Sequence, residues 1–143
     1  MLKSLTTLIK INKAQLDEKR RQLAVLLDKK QQHIDEIKRL EDSIKYESDN
    51  LARTAADFRP MFLNFVMGVR KKEEVILAEI DKLNPQINKM TDEISIIFSE
   101  MKKYEIVKEN RETELELELQ RKTQIEIDEM AISNFVRRNA ENL

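Results

Sequence analysis

Cysteine and tryptophan are absent from this chain, glycine occurs once and proline twice in 143 residues. Average usage would supply roughly 10 glycines and 7 prolines. A compact domain of this length needs several reversals around a three-dimensional core, so the shortage excludes α/β enzymes, β-sandwiches and most compact bundles. Without cysteine there are no disulfides and no thiolate metal sites, a composition compatible with a reducing cytoplasm. Long apolar runs are lacking too. A membrane-spanning helix needs about 18 consecutive apolar residues, and the longest greasy stretch, residues 61–69, is nine residues long and contains Asn64. The opening MLKSLTTLIKINKAQLDEKRR has neither the continuous apolar core nor the small-residue cleavage site of a secretory leader. Charge of one sign is missing as well: 26 basic and 27 acidic residues leave a net charge of −1, and with it no footprint for nucleic acid.

What is present is hydrophobic periodicity. The apolar share, 41%, is too high and too regularly spaced for disorder. A first register with alternating steps of three and four runs Leu2, Leu5, Ile9, Asn12, Leu16, Lys19, Leu23, Leu26, Lys30, His33, Ile37, Leu40, Ile44, Glu47, Leu51; ten of its fifteen positions are apolar. The second runs Phe62, Val66, Val69, Glu73, Ile76, Ile80, Leu83, Ile87, Met90, Ile94, Ile97, Met101, Tyr104, with twelve of thirteen apolar or aromatic. Both are the narrow seams of coiled-coil helices. Past Tyr104 the register continues through Lys108, Arg111, Leu115, Glu118, Lys122, Ile125, Glu129, Ile132, Val136, Asn139 and Leu143, where only five of eleven positions are apolar.

Between the seams lies SDNLARTAADFRP, residues 48–60, with turn-prone Ser48, Asp49, Asn50 and Asp57, and with Pro60 suited to a first helical turn. The expected fold is all-α: a long antiparallel two-helix coiled-coil hairpin with a longer second helix, in a single domain over residues 1–143. Helix 1 is expected at about 2–51 (~75 Å), the bend at about 52–59 and helix 2 at about 60–138 (~110 Å). Pro85 should kink or break helix 2, yet Ile80, Leu83, Ile87 and Met90 keep the heptad phase across it, which favours one kinked, continuous helix. A fold near residue 55 or 56 brings Lys19 and Lys30 close to Asp92 and Asp81. Those lysines either pair there and fix the register or snorkel past the seam. The same arithmetic leaves residues from Arg111 onward without a partner in the chain, exposing Leu115, Leu119 and Ile132. Their Glu/Leu alternation could be scored as a strand, but Glu and Leu favour helix and no second strand is available.

Catalytic chemistry finds no support. His33, the sole histidine, sits on the seam, where packing is its plainer role. One histidine without cysteine makes no transition-metal cluster. The one glycine, Gly68, lies inside FVMGVRKK and forms no phosphate loop. No hydroxyl residue has a recognisable histidine base, and a two-helix hairpin has no pocket that excludes water. No catalytic residue, metal ligand or cofactor-binding residue is expected, and the chain is read as a non-enzyme.

Two features point to partners. Phe58, Met61, Phe62, Leu63, Phe65, Val66, Met67 and Val69 crowd into twelve residues beside the basic run Arg70, Lys71, Lys72. A seam buries only about two positions in seven, so the surplus either packs on the bend or offers an apolar patch through Phe58, Phe62 and Phe65. The ends also differ in charge. Residues 1–30 hold eight basic and three acidic residues, net +5, and residues 105–129 hold nine acidic and four basic, net −5. Intrahelical pairs such as Asp17–Arg21 and Glu118–Lys122 account for some of this; a charged partner at the open end would account for the rest.

Three segments carry a family likeness: LTTLIKINKAQLDEKRRQLAVL, FSEMKKYEIVKENRE and IDEMAISNFVRR. With the length and hairpin plan, they make the chain resemble the flagellar export protein family FliJ, and more distantly the YscO-type stalk proteins of injectisomes. The likeness spans nearly the whole chain. It rests most on the box Asp17, Glu18, Lys19, Arg20, Arg21 and the tail Asp128, Glu129, Ala131, Phe135, Arg137, Arg138, which become candidate partner-binding residues. The resemblance implies a non-catalytic stalk and adaptor in type III protein export, cytoplasmic and peripheral to the inner-membrane export apparatus. Its open end would sit in the export ATPase hexamer, and other parts would engage the export gate membrane protein and export chaperones, with no nucleic acid and no stable membrane insertion. Two other classes stay open: a prefoldin-like chaperone coiled coil, although the short connection lacks the β-hairpins prefoldin uses to assemble, and a membrane-surface scaffolding hairpin suggested by MFLNFVMGVRKK.

Overall fold

The computed structural model describes residues 1–52 and 58–142. The chain is an all-α antiparallel hairpin of two helices, α1 over Leu2–Leu51 and α2 over Arg59–Glu141. The bend expected near residues 52–59 lies largely outside the described residues, as do Asp57 and Leu143. By contacts the chain divides into two compact units, Ala14–Ile97 and Met1–Lys13 with Phe98–Leu143.

Within Ala14–Ile97 the two heptad registers are the buried stripes. Every seam position of α1 from Leu16 to Ile44 is buried or half-buried, as is Leu51, and Glu47 alone is exposed. On α2 the seam from Phe62 to Ile97 is covered throughout, with Val69, Glu73, Ile76 and Ile80 buried. Among the described residues Leu16, 1% exposed, is the one large side chain buried completely. The heptad phase survives Pro85 because α2 continues through it. A proline has no N–H for the carbonyl four residues back, and nearby the Gln86 side chain donates to the Lys82 carbonyl at 3.3 Å.

Of the two seam lysines, one finds a carboxylate across the seam. Lys19 donates to Glu93 at 2.8 Å, one residue beyond the Asp92 expected from the sequence. Lys30, half-buried in the seam, makes no ion pair with Asp81 among the described residues, so its long stem follows the snorkelling alternative. In the unit Met1–Lys13 with Phe98–Leu143, Leu5 and Met101 are buried together with Asn12, whose Nδ2 has no hydrogen-bond partner. A buried, unsatisfied amide costs stability but penalises slipped pairings more. The cover ends at Arg111, whose guanidinium meets the Met1 sulfur. From residue 112 to residue 141 every position of α2 is exposed, as is Asn142 after it.

Gly68 has no role in this packing. Its backbone is not in the left-handed region, and a Cβ built on it would meet nothing within 4 Å. Glycine inside a helix costs about 0.5–1 kcal/mol relative to alanine. Gly68→Ala should therefore raise stability by about 0.5–1 kcal/mol, read as a higher urea midpoint with an unchanged slope.

Candidate functional site

Three surfaces carry the candidate residues. The first is the box on α1, inside the unit Ala14–Ile97. Asp17 and Arg20 are exposed. Glu18 pairs with Arg21 at 3.5 Å and accepts from Gln22 at 3.3 Å, so the i,i+3 pair Glu18–Arg21 replaces the expected Asp17–Arg21. Lys19 turns inward to Glu93, and that hydrogen bond holds the Glu93 carboxyl below its ordinary 4.5. A shallow groove of about 470 Å³ lies beside this pair, floored by Leu26 and Met90.

The second surface lies where α2 begins, in the same unit. Phe58, Phe62 and Phe65 come together with Met61 and Leu51 around a groove of about 450 Å³, with Glu47 at its rim. Phe62 belongs to the seam and is half-buried, whereas Phe58, Met61 and Phe65 remain exposed. Of the apolar surplus, Phe62, Val66 and Val69 are taken into the seam, while Phe58, Met61, Leu63, Phe65 and Met67 face outward. Nearby, Arg70 bridges Glu41 of α1 and Glu73 of α2, the latter at 2.8 Å. Glu73 is only 8% exposed, and its Oε1 has no partner. Hydrogen bonding to the Glu73 side chain, and then to the Arg70 guanidinium, holds Glu41 below its ordinary 4.5. Sequence reasoning did not single out this cluster. Its one legible sign was Glu73 itself, the sole charged residue in the second seam between Phe62 and Tyr104.

The third surface is the uncovered part of α2, in the unit with both chain ends. Asp128 accepts from Gln124 at 3.0 Å, and Arg137 donates to Asn134 at 3.2 Å. Glu129 and Arg138 face solvent, and Phe135 is 64% exposed. The expected Glu118–Lys122 pair forms at 3.8 Å. Successive helical residues turn by about 100°. On that basis Leu115, Leu119 and Met130 share one sector, Ile127 adjoins it, Leu117 and Phe135 lie opposite, and Ile125, Ile132 and Val136 fill the remaining side. The acids Glu112, Glu114, Glu116, Glu118, Glu126, Asp128 and Glu129 are interspersed all round. This helix shows apolar surface on every side rather than along one stripe.

Among the described residues no group of three or more His, Cys, Asp or Glu is placed to hold a metal ion, and no helix is long and apolar enough to cross a membrane. Comparison with known protein families matches the chain to the flagellar FliJ protein over residues 1–140. No curated protein and no solved structure matches.

The two lowered carboxyls set a pH dependence. Glu41 and Glu93 titrate lower in the hairpin than in the unfolded chain, so the folded form binds fewer protons near their ordinary 4.5. The stability they lend is complete above that value and is lost as pH falls through the lowered folded values. Thermal midpoints should stay level from pH 7 to about 5 and drop below about 4.5. Glu93→Gln should melt lower than the parent at pH 7 and show a shallower acid decline.

Proposed function

Because the chain belongs to the flagellar FliJ family, and is therefore a coiled-coil protein associated with flagellar, type III protein export, we propose that it acts as a non-enzymatic stalk and adaptor of the export apparatus. In this reading the end carrying both termini enters the central opening of the export ATPase hexamer, and other surfaces contact the export gate or export chaperones. The protein works in the cytoplasm, peripheral to the inner-membrane apparatus, and adds no chemistry of its own.

The observation that carries the reading is the bare length of α2 over residues 112–141. A groove in one partner can cover only one side of a helix. Apolar residues distributed round the whole circumference call for a partner that surrounds it, and a ring of subunits does so. Such a helix is itself asymmetric, because Leu115, Leu119 and Met130 on one side face a different ring subunit from Leu117 and Phe135 on the other. Six identical subunits therefore meet six different surfaces, and the nucleotide state of each is biased by the contact it makes. The coupling is contact free energy that differs between states, and it needs no catalytic residue on the stalk. The mixed charges, with Glu112, Glu114, Glu116 and Glu118 followed by Arg121 and Lys122 and later by Arg137 and Arg138, set depth and direction of entry.

Removing residues 112–143 tests this. The shortened chain should keep its helical circular-dichroism spectrum with little change in melting, since no side chain between 112 and 142 is buried. It should neither co-purify with the ATPase hexamer of its own export system nor raise that enzyme's turnover. A folded, shortened chain that stimulates the hexamer as well as the full chain does contradicts the stalk reading.

A further inference from the structure

Within the unit Ala14–Ile97 the seam of α2 is not packed evenly along its length. Val69, Glu73, Ile76 and Ile80 are buried, whereas Leu83, Ile87, Met90, Ile94 and Ile97 are only half-buried. The change falls at Asn84 and Pro85. Proline is the worst residue for a helix interior, and asparagine is among the poorer ones. Pro85 has no N–H to give the Asp81 carbonyl, and its ring crowds that same carbonyl, yet α2 runs on through it.

Three further observations fall on the same stretch. The α1 seam there, Leu23, Leu26 and Lys30, is half-buried throughout, and one of its three residues is a lysine. The groove of about 470 Å³ opens between the helices at this level, lined by Val25 and Leu26 of α1 and by Gln86 and Met90 of α2. Lys19–Glu93 ties the helices on one side of it, and Glu41–Arg70–Glu73 ties them on the other. Among the described residues no ion pair crosses the seam between those two ties. A weakened backbone ladder, thin apolar cover and no cross-link are the conditions under which a segment opens locally while its neighbours stay closed, and sharp bends in long helices gather at prolines. We propose that residues 83–90 of α2, with residues 23–30 of α1, form a flexure built into the paired hairpin, at which the rod bends while the two ion-pair ties keep its register. What the flexure is used for rests on the stalk reading: a rod gripped by a ring at one place and held by another partner elsewhere has to yield between the two as the ring subunits change state.

Hydrogen exchange on the full chain tests the flexure without reference to any partner. Amides of residues 83–90 should exchange about tenfold or more faster than those of residues 69–80. Pro85→Ala should melt higher and slow the exchange of residues 83–90 about tenfold or more, since it restores the missing bond and removes the clash. Gly68→Ala, which also strengthens α2 but lies outside the stretch, should leave exchange at residues 83–90 unchanged. Bending is read from spin labels on Glu74→Cys and Ile96→Cys, two exposed positions either side of Pro85, roughly 33 Å apart along a straight helix. Their distance distribution should narrow when Pro85→Ala is added. Equal exchange in the two segments, or a Pro85→Ala chain with unchanged exchange and an unchanged distance spread, overturns the flexure. With the ATPase hexamer, Pro85→Ala should bind as the parent does and stimulate turnover less. Equal stimulation by a chain shown to be stiffer overturns the use assigned to the flexure, whereas a parent chain that fails to stimulate overturns the stalk reading and leaves the exchange result standing.

Discussion

Everything in this molecule follows from one shortage of cover. Two helices that meet along a single seam can bury only about two positions in seven on each, and here a 50-residue helix is asked to cover one of 83 residues. The seam is used to its limit. Nearly all its positions are at least half-buried, yet among the described residues only Leu16 is sealed off entirely. Apolar side chains that fall off the seam, or beyond the reach of α1, have no intramolecular place to go. Their exposure is a consequence of geometry.

So thin a core leaves the register to polar residues. Apolar contacts in a repeating seam are nearly degenerate under a slip of one heptad, whereas Lys19–Glu93, the Glu41–Arg70–Glu73 cluster and buried Asn12 are not. Each costs something: Asn12 and Glu73 both keep a buried atom without a partner. A slipped pairing would strand these groups against apolar neighbours, so what they take from stability they return as a unique alignment.

Much of this was legible in the sequence, for physical reasons that differ by residue. The scarcity of glycine and proline together with two heptad registers pointed to the all-α two-helix hairpin. The continuity of α2 through Pro85 could be read because Ile80, Leu83, Ile87 and Met90 hold phase, and a loop would have shifted it. Seam spacing placed Lys19 within one residue of its partner. It could not choose between Asp92 and Glu93, because that depends on which rotamer of a long side chain reaches across. Nor could it decide that Lys30 would stay unpaired. Arg70 was hidden because its importance comes from two carboxylates on different helices.

The proposed stalk role requires the bare end of α2 to be enclosed from all sides by its partner. The absence of native cysteine makes a direct measurement possible. Single cysteines placed in turn at positions 115, 117, 125 and 127 sample four sides of the helix, and their rates of maleimide labelling can be compared in the free chain and in the complex with the ATPase hexamer. All four should label fast in the free chain and be strongly protected in the complex. Protection confined to one side, or to none, would contradict enclosure and with it the stalk.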